Sequence, residues 1–262
     1  RPVGCVFDLL PSTARALLIL CVVFVPLEWA LPAWRAQRRA RRGLAADLAF
    51  FAGQYLLFSG LAVTWLSWLS GRTEGVGLLT AFRTEVVSWP LAVRVGLAGA
   101  GGGFLMYWGH RLQHAWGPLW RFHAVHHTSE RLDFVAAHRE HPLDGFYTQT
   151  LMNLPAIALG LEIHLVLGLV AFRGLWAILL HANVKLRLGI IGDIFGSPQL
   201  HHWHHALDRH GGNYANLAPY LDRLFGTYHR PEGDPAEIGV AEPHPRGYLR
   251  LLLWPFLPKR RS

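Results

Sequence analysis

Long apolar runs separated by short polar segments dominate the chain, and they predict helices that cross a membrane. Runs at 12 to 33, 46 to 69 and 89 to 109 match the roughly 20 residues needed to span a bilayer core. Two shorter runs, at 147 to 161 and 163 to 181, are interrupted by polar residues. We expect these two to form either a pair of tight spans or a hairpin that enters the membrane and returns.

The run at 12 to 33 is longer than the apolar region of a signal peptide, and a basic cluster rather than a cleavage site follows it. We therefore interpret it as the first span. The chain begins with Arg1 rather than methionine, and we expect a short piece to precede it.

Composition strengthens the membrane prediction. The 262 residues are 52% hydrophobic and 16% charged, with a mean hydropathy of +0.22, which is too apolar for an ordinary soluble domain. The net charge of +8 comes without any nucleic-acid motif, so we expect an anionic membrane surface rather than nucleic acid as its partner. Two cysteines, Cys5 and Cys21, support neither a disulfide framework nor a cysteine-based metal site.

Basic residues predict the orientation of the spans, because positively charged loops stay in the cytoplasm. They cluster after the first run, at Arg35, Arg38, Arg39, Arg41 and Arg42, and in the tail, at Lys259, Arg260 and Arg261. The loop at 70 to 88 then lies outside, and the run at 89 to 109 brings His110 to the cytoplasmic face. Close helix packing is predicted in that run by four glycines, Gly99, Gly101, Gly102 and Gly103.

Thirteen of the 16 histidines lie between His110 and His205. Most form three clusters: His110 and His114; His123, His126 and His127; and His201, His202, His204 and His205. Residues at i, i+3 and i+4 share a helix face, so each cluster aims two or three imidazoles in one direction and their convergence would hold one or two metal ions. His202 departs from this spacing, and we expect it beside the ligands; His138 is equally ambiguous.

The number of histidines narrows the choice of metal. Imidazole suits zinc, copper, iron and nickel, but a catalytic zinc site typically has three protein ligands. The eight histidines of the three clusters that keep this spacing, all but His202, are too many for one such site. They suit two metal ions, and iron is the metal of this group that readily activates O2.

Six successive segments resemble motifs of the fatty acid hydroxylase superfamily, in its bacterial sterol desaturase branch. Within about residues 105 to 230 they read HRLQH, WRFHAVHH, REHPLDG, HANVKL, SPQLHHWHH and NYANLAPYLDRLFGTY. The resemblance implies an all-α integral membrane helical bundle with a cytoplasm-facing helical cap that carries the histidine boxes. It also implies ten ligands for two iron ions: His110, His114, His123, His126, His127, His141, His181, His201, His204 and His205. For the tenth ligand His141 is preferred, and Asn183 acting through a water is the alternative.

The same resemblance implies one oxygenase domain over residues 1–262. Its parts are the spans at 12–109, the first two boxes at 110–146, the short spans or hairpin at 147–181, the third box and closing motif at 182–230, and a basic tail at 231–262. The closing motif, with Asn213, Tyr214, Asp222 and Arg223, is expected to pack the third box against the rest. Five carboxylates are candidates to accept the second N–H of ligand imidazoles: Glu130, Asp133, Glu140, Asp144 and Asp208.

The expected function is O2-dependent hydroxylation or desaturation of a C–H bond in a lipid or sterol-like substrate, in a bacterial inner membrane. Electrons would come from a separate protein, for which Arg121, Arg131 and Arg139 offer a docking surface. Two rival functions are a metal-dependent membrane hydrolase and a metal transporter. The transporter should distribute its histidines along several spans, whereas here they concentrate at the ends of spans and in the cytoplasmic segments.

Overall fold

In a computed structural model of the chain, residues 6–186, 188–207 and 211–258 are described, with side chains from residue 9 onward. This part of the chain is all-α, as the sequence predicts, and its only pairing of extended backbone is an isolated bridge between Ala206 and Ile238. Asp208 and the basic tail residues Lys259, Arg260 and Arg261 lie outside the described residues.

The α-helices are α1 (Val6–Ala30), α2 (Leu44–Gly53), α3 (Ser59–Arg72), α4 (Gly77–Val86), α5 (Leu91–Ala115), α6 (Gly117–His127), α7 (Pro142–Ala158), α8 (Ile163–His181), α9 (Gly189–Phe195), α10 (Pro198–His204), α11 (Tyr220–Leu224) and α12 (Tyr248–Leu253). A π-helical turn at Gln54–Phe58 joins α2 to α3 without a break. Short 3-10 turns occupy Ala136–His138 and Trp254–Phe256.

Three helical segments of the described chain are long and apolar enough to cross a membrane: Leu9–Ala30, Leu44–Arg72 and Ile163–His181. They match the predicted runs at 12 to 33, 46 to 69 and 163 to 181. The run at 89 to 109 forms most of the 25-residue helix α5, which is not among these three, so its crossing stays a prediction. The run at 147 to 161 lies mostly in α7, which has 17 residues and an internal Pro155.

Helix α5 packs closely against α7 through its glycines. A Cβ at Gly101 would lie 3.1 Å from the Pro155 ring, and one at Gly102 would collide with the Met152 carbonyl oxygen. Gly99 faces open space, so the predicted close packing is confined to part of the glycine run. This contact fixes the end of α5 that carries the first histidine box.

A buried network of ion pairs ties the loop after α1 to the segment after α6. The Arg41 guanidinium bonds both carboxylate oxygens of Asp133 at 2.6 and 2.7 Å and lies 2.7 Å from Asp47. Asp47 also pairs with Arg139. Arg139 is 5% exposed, so its expected place on a docking surface is wrong: its charge is neutralised inside the fold.

Candidate metal centre

Nine buried or half-buried histidines gather in two neighbouring clusters. We call the first the five-histidine cluster: His110, His114, His123, His127 and His204. We call the second the four-histidine cluster: His126, His181, His201 and His205. Within each cluster, one ring nitrogen from every member lies within 4.8 Å of those of the others. The structure thus brings together nine of the ten histidines proposed from the sequence.

The second and third boxes are each divided between the two clusters. On α6, His123 and His127 are four residues apart and point to the five-histidine cluster, while His126 points to the other. At the end of α10 the division is reversed, since His201 and His205 enter the four-histidine cluster and His204 the five-histidine cluster. The second and third boxes therefore link the two clusters, because each places ring nitrogens in both.

The spacing of the ring nitrogens fits metal binding. The Nε2 atom of His123 lies 3.0 Å from that of His110 and 3.2 Å from that of His127. In the other cluster, Nε2 of His201 lies 2.9 Å from that of His181 and 3.1 Å from that of His205. Two nitrogens that bind one ion at about 2.0–2.1 Å at a right angle are about 2.9 Å apart. The pairs are therefore spaced as neighbouring ligands of a single ion.

Acceptors behind the rings fix which nitrogen faces each cluster. Backbone carbonyls contact the Nδ1 atoms of four of these histidines: Tyr214 for His110 at 2.7 Å, Arg139 for His126 at 2.9 Å, Ala177 for His181 at 2.7 Å and Gly212 for His204 at 2.9 Å. An Nδ1–H that donates to a carbonyl leaves Nε2 unprotonated and available to a metal. The carbonyls thus preset the tautomer that a ligand needs.

One carboxylate supports the centre. The Nδ1 atom of His123 lies 2.9 Å from an Asp144 oxygen, and Gln113 donates to the other oxygen. Both partners are buried. Of the five carboxylates expected beside ligand imidazoles, Asp144 contacts a clustered histidine and Asp133 pairs with Arg41. Neither Glu130 nor Glu140 hydrogen-bonds a clustered histidine within the described residues.

Burial keeps four of the imidazoles outside the candidate spans neutral. Desolvation, followed by neighbouring imidazoles, lowers the pKa of His126 to about 4. The same causes lower the pKa values of His127, His204 and His205 well below the ordinary histidine range. Neutral imidazole is the metal-binding form, so these four rings are in that form at neutral pH.

The structure does not bring His141 to either cluster. Its Nδ1 accepts the Leu143 N–H at the start of α7, and its Nε2 lies 3.1 Å from the Leu252 carbonyl oxygen. Both ring nitrogens are therefore engaged, and the residue caps a helix. Asn183, the alternative tenth ligand, is occupied too, because it exchanges hydrogen bonds with the backbone of Trp34.

Two further histidines near the boxes also have other partners. His202 lies between the Asp234 carboxylate and the Ala182 carbonyl, with ring nitrogens 3.2 and 3.0 Å from them, and its ring packs on Trp34. His138 contacts the Gln54 side chain at 3.0 Å. The expectation that His202 lies beside the ligands agrees with this position.

A cavity of about 500 Å3 opens beside both clusters. His110 and His123 line it from the first cluster and His126 and His181 from the second, and much of its wall comes from α8. Apolar residues of this wall include Met106, Met152, Val170, Leu175, Ile178 and Leu217. A substrate in the cavity would therefore meet both clusters.

Sequence reasoning missed that Arg173 and Glu140 line this cavity. Burial, and next the nearby Asp144 carboxylate, raise the pKa of Glu140 to about 8, so its carboxyl is largely neutral at neutral pH. An arginine in the middle of an apolar run was the available signal for Arg173, since charges at such positions usually serve a function.

Comparison with known proteins places this geometry in a family. The fatty acid hydroxylase family model matches residues 96–227, which is half of the chain and contains all nine clustered histidines. The chain belongs to the fatty acid hydroxylase family. No solved structure matches it significantly.

The names of several relatives of this fatty acid hydroxylase family member refer to different lipids. An ornithine lipid hydroxylase of Rhizobium tropici is 35% identical over 177 residues, which cover 66% of this chain and 54% of that protein. The human alkylglycerol monooxygenase is 30% identical over 142 residues, covering 53% and 31%. A probable Δ(7)-sterol 5(6)-desaturase of Neurospora crassa is 28% identical over 131 residues, covering 50% and 37%. The chain thus spans between about a third and a half of these relatives.

In this member of the fatty acid hydroxylase family, the closing motif positions carbonyls for the clusters. The Asp222 carboxylate accepts hydrogen bonds from the Tyr214 and Ala215 backbone N–H groups and from the Thr227 hydroxyl. Asn213 has a φ of 50°, which asparagine tolerates. The motif packs the third box, as expected, and it also aims the carbonyl that contacts His110.

Proposed function

We propose that the chain is a membrane-bound oxidoreductase that uses O2 to hydroxylate a C–H bond of a lipid at a di-iron centre. The observation that carries the proposal is the pair of imidazole clusters that share one cavity. Two such clusters beside a common cavity would hold two ions within reach of one substrate. Imidazole is a suitable ligand for iron.

The nine clustered histidines are the proposed ligands, and His141 is left out because both of its ring nitrogens are engaged elsewhere. Two iron ions, when bound, would supply the activation of O2 that attack on a C–H bond requires. The protein holds the ligand nitrogens in place, keeps the rings neutral by burial and surrounds the reacting part of the substrate with apolar wall. Exclusion of water limits side reactions.

The relatives support a lipid substrate and favour hydroxylation over desaturation. The two named above with the higher identities are a lipid hydroxylase and a monooxygenase, whereas the desaturase is more distant. The cavity wall formed by α8, a candidate span, supports entry of the substrate from the bilayer.

A separate electron-transfer protein and a cytoplasmic location of the clusters remain part of this proposal. The reaction needs a reductant, and Arg121 and Arg131 are partly or fully exposed near the second box, where they would bind an acidic donor. The arginines after α1 support the cytoplasmic side for the loop that packs beside the clusters.

The test is the origin of the oxygen atom in the product. Full-length protein purified from iron-replete cells, supplied with lipid extract, reductant and labelled O2, is expected to carry close to two iron ions per chain. We also expect one labelled oxygen atom to enter each hydroxylated lipid. Mass spectrometry of the lipids and metal analysis of the protein are the measurements.

The rival hydrolase predicts a different outcome. A metal-bound water would cleave an ester without O2 or reductant, and the oxygen gained would come from solvent. If the protein converts lipid under strictly anaerobic conditions, and the product contains oxygen from labelled water, the oxygenase proposal is wrong and the hydrolase is supported.

A further inference from the structure

The cavity beside the histidine clusters meets a second, smaller cavity, and the polar residues that line the smaller one all line both. The smaller cavity, of about 150 Å3, has a wall of apolar residues and glycine apart from Gln54, Ser59, Glu140 and Gln149. The same four residues also line the larger cavity. We call them the junction cluster. Polar groups in an apolar wall lower the stability of the fold unless they find hydrogen-bond partners, which a ligand can supply.

Hydrogen bonds fix the direction in which Gln149 points its donor. A guanidinium can only donate, and Arg173 donates to Asn153 Oδ1 at 3.2 Å. Asn153 must then donate through Nδ2, and it does so to Gln149 Oε1 at 3.2 Å. The remaining Gln149 atom, Nε2, is a donor without a hydrogen-bond partner among the described residues.

The charge of Arg173 strengthens this donor. Its guanidinium contacts the carbonyl oxygens of Met152 and Ala98 and the Asn153 amide, and each of these acceptors is neutral. No carboxylate within the described ranges lies at ion-pair distance from it. A chain of hydrogen bonds that begins at a charge is polarised along its length. An acceptor oxygen at Gln149 Nε2 would therefore bind more strongly than at an isolated amide.

The other members of the junction cluster add hydrogen-bonding groups around the same point. Gln54 contacts His138 through Oε1 at 3.0 Å, which leaves its Nε2 as a second donor. The Ser59 hydroxyl and the Glu140 carboxyl have no hydrogen-bond partner among the described residues. The cluster is thus rich in donors, and apolar space continues on one side of it.

We propose that the junction cluster binds the carbonyl oxygen of an acyl group, so that the substrate is an acyl lipid. This inference rests on the proposed function and names its substrate class. An acyl lipid carries an acceptor oxygen next to a long apolar chain, which matches a donor cluster that continues into an apolar cavity. A sterol offers a single hydroxyl, and a hydrocarbon offers no acceptor.

The test is selective binding by full-length protein in nanodiscs, without reductant so that no turnover occurs. The probes are N-methylhexadecanamide, methyl hexadecanoate, hexadecanoic acid, cholesterol and hexadecane, each competing against the radiolabelled amide. The unaltered protein is expected to prefer the amide or ester over hexadecane by at least about tenfold, which corresponds to one hydrogen bond. A preference for the free acid over both would point to free fatty acids as the source of the carbonyl.

Gln149→Leu is the decisive variant. It removes the donor, yet Asn153 keeps its 2.8 Å bond to the backbone carbonyl of residue 149, so the Arg173 network retains its anchor. We expect the amide to lose about tenfold in affinity while hexadecane binding stays constant. Ser59→Ala, a smaller change, should reduce the same preference by a lesser factor.

Thr150→Val is the matched control, because Thr150 lies on the same helix but lines neither cavity. It should leave all affinities unchanged. Equal binding of amide and hexadecane by the unaltered protein, or full selectivity in both Gln149→Leu and Ser59→Ala, overturns the inference. Selective binding in a protein that shows no O2-dependent product would instead overturn the proposed function alone.

Discussion

The two histidine clusters lie side by side and both draw on α6 and α10, yet they differ in the number of imidazoles and in the charge of the groups behind them. The five-histidine cluster has one more imidazole and a carboxylate, Asp144, behind His123. The four-histidine cluster is supported within the described chain by backbone carbonyls behind His126 and His181, and His181 ends a candidate span. A carboxylate behind a ligand raises its basicity.

The comparison teaches that two ions would not be held with equal strength. More imidazoles and an anionic partner favour retention of a dication in the five-histidine cluster. The four-histidine cluster leaves more of an ion open to exchangeable ligands. We therefore expect the second ion to be the more easily removed, and the following experiments test that asymmetry.

The largest effect is expected from removing one ligand in each cluster. His205→Ala leaves three imidazoles and should lower iron content by about one ion per chain, because metal affinity should fall by more than the roughly 10- to 100-fold typical of an outer partner. His127→Ala leaves four imidazoles and should lose less iron under the same dialysis. Metal analysis after dialysis is the measurement.

His164→Ala is the control for both variants. His164 is exposed and contacts Glu162 on the surface, so its removal should leave iron content unchanged. If His127→Ala loses as much iron as His205→Ala, the asymmetry between the clusters does not exist.

A smaller effect, confined to one cluster, is expected from Asp144→Asn. Loss of the carboxylate behind His123 should weaken metal binding there by about 10- to 100-fold and leave the four-histidine cluster unchanged. Competition with a chelator should release iron in two separate phases, and each phase gives the iron affinity of one cluster. Asp193→Asn, which alters an exposed ion pair with Arg223, is the matched control. A parallel loss in both phases would show that the carboxylate acts on the whole site.

The smallest effect on iron content is expected from His141→Gln. This variant tests whether His141 is a further ligand of the ion in the four-histidine cluster. The ring caps α7 and contacts the Leu252 carbonyl, so iron content should stay the same. Loss of the cap should cost about 1 kcal/mol of stability, seen as a lower Tm of the purified protein. Loss of iron together with an unchanged Tm would return His141 to the ligand set.

Sequence spacing predicted which histidines meet but not how they divide. The i, i+4 rule pairs His123 with His127 and His201 with His205, and both pairs hold. The assignment of His126 and His204 to the opposite cluster depends on how α6 and α10 face each other, which no local pattern records. His141 failed to join because its motif starts a helix, and an imidazole before Pro142 can cap that helix as readily as bind a metal.

Apolar patterning likewise predicted the spans more completely than the cavity. The runs that became α1 and α2 with α3 are continuous, and the run that became α8 is interrupted by few polar residues, so all three can be recognised directly in the sequence. The junction cluster draws on Gln54, Ser59, Glu140 and Gln149, which are separated by up to about a third of the chain. Their convergence is a property of packing between distant segments.

Glu28, near the end of the first candidate span, has a consequence for the order in which the protein folds. Its carboxylate accepts the backbone N–H groups of Phe134 and Asn183, which are 106 and 155 positions later in the chain. During synthesis from the N-terminus, the first span is therefore complete long before its partners exist. Contacts of such long sequence separation slow folding, since distant segments must first be brought together. The contact with Asn183 must await the end of α8, and the two histidine clusters are complete only after His205 has been added.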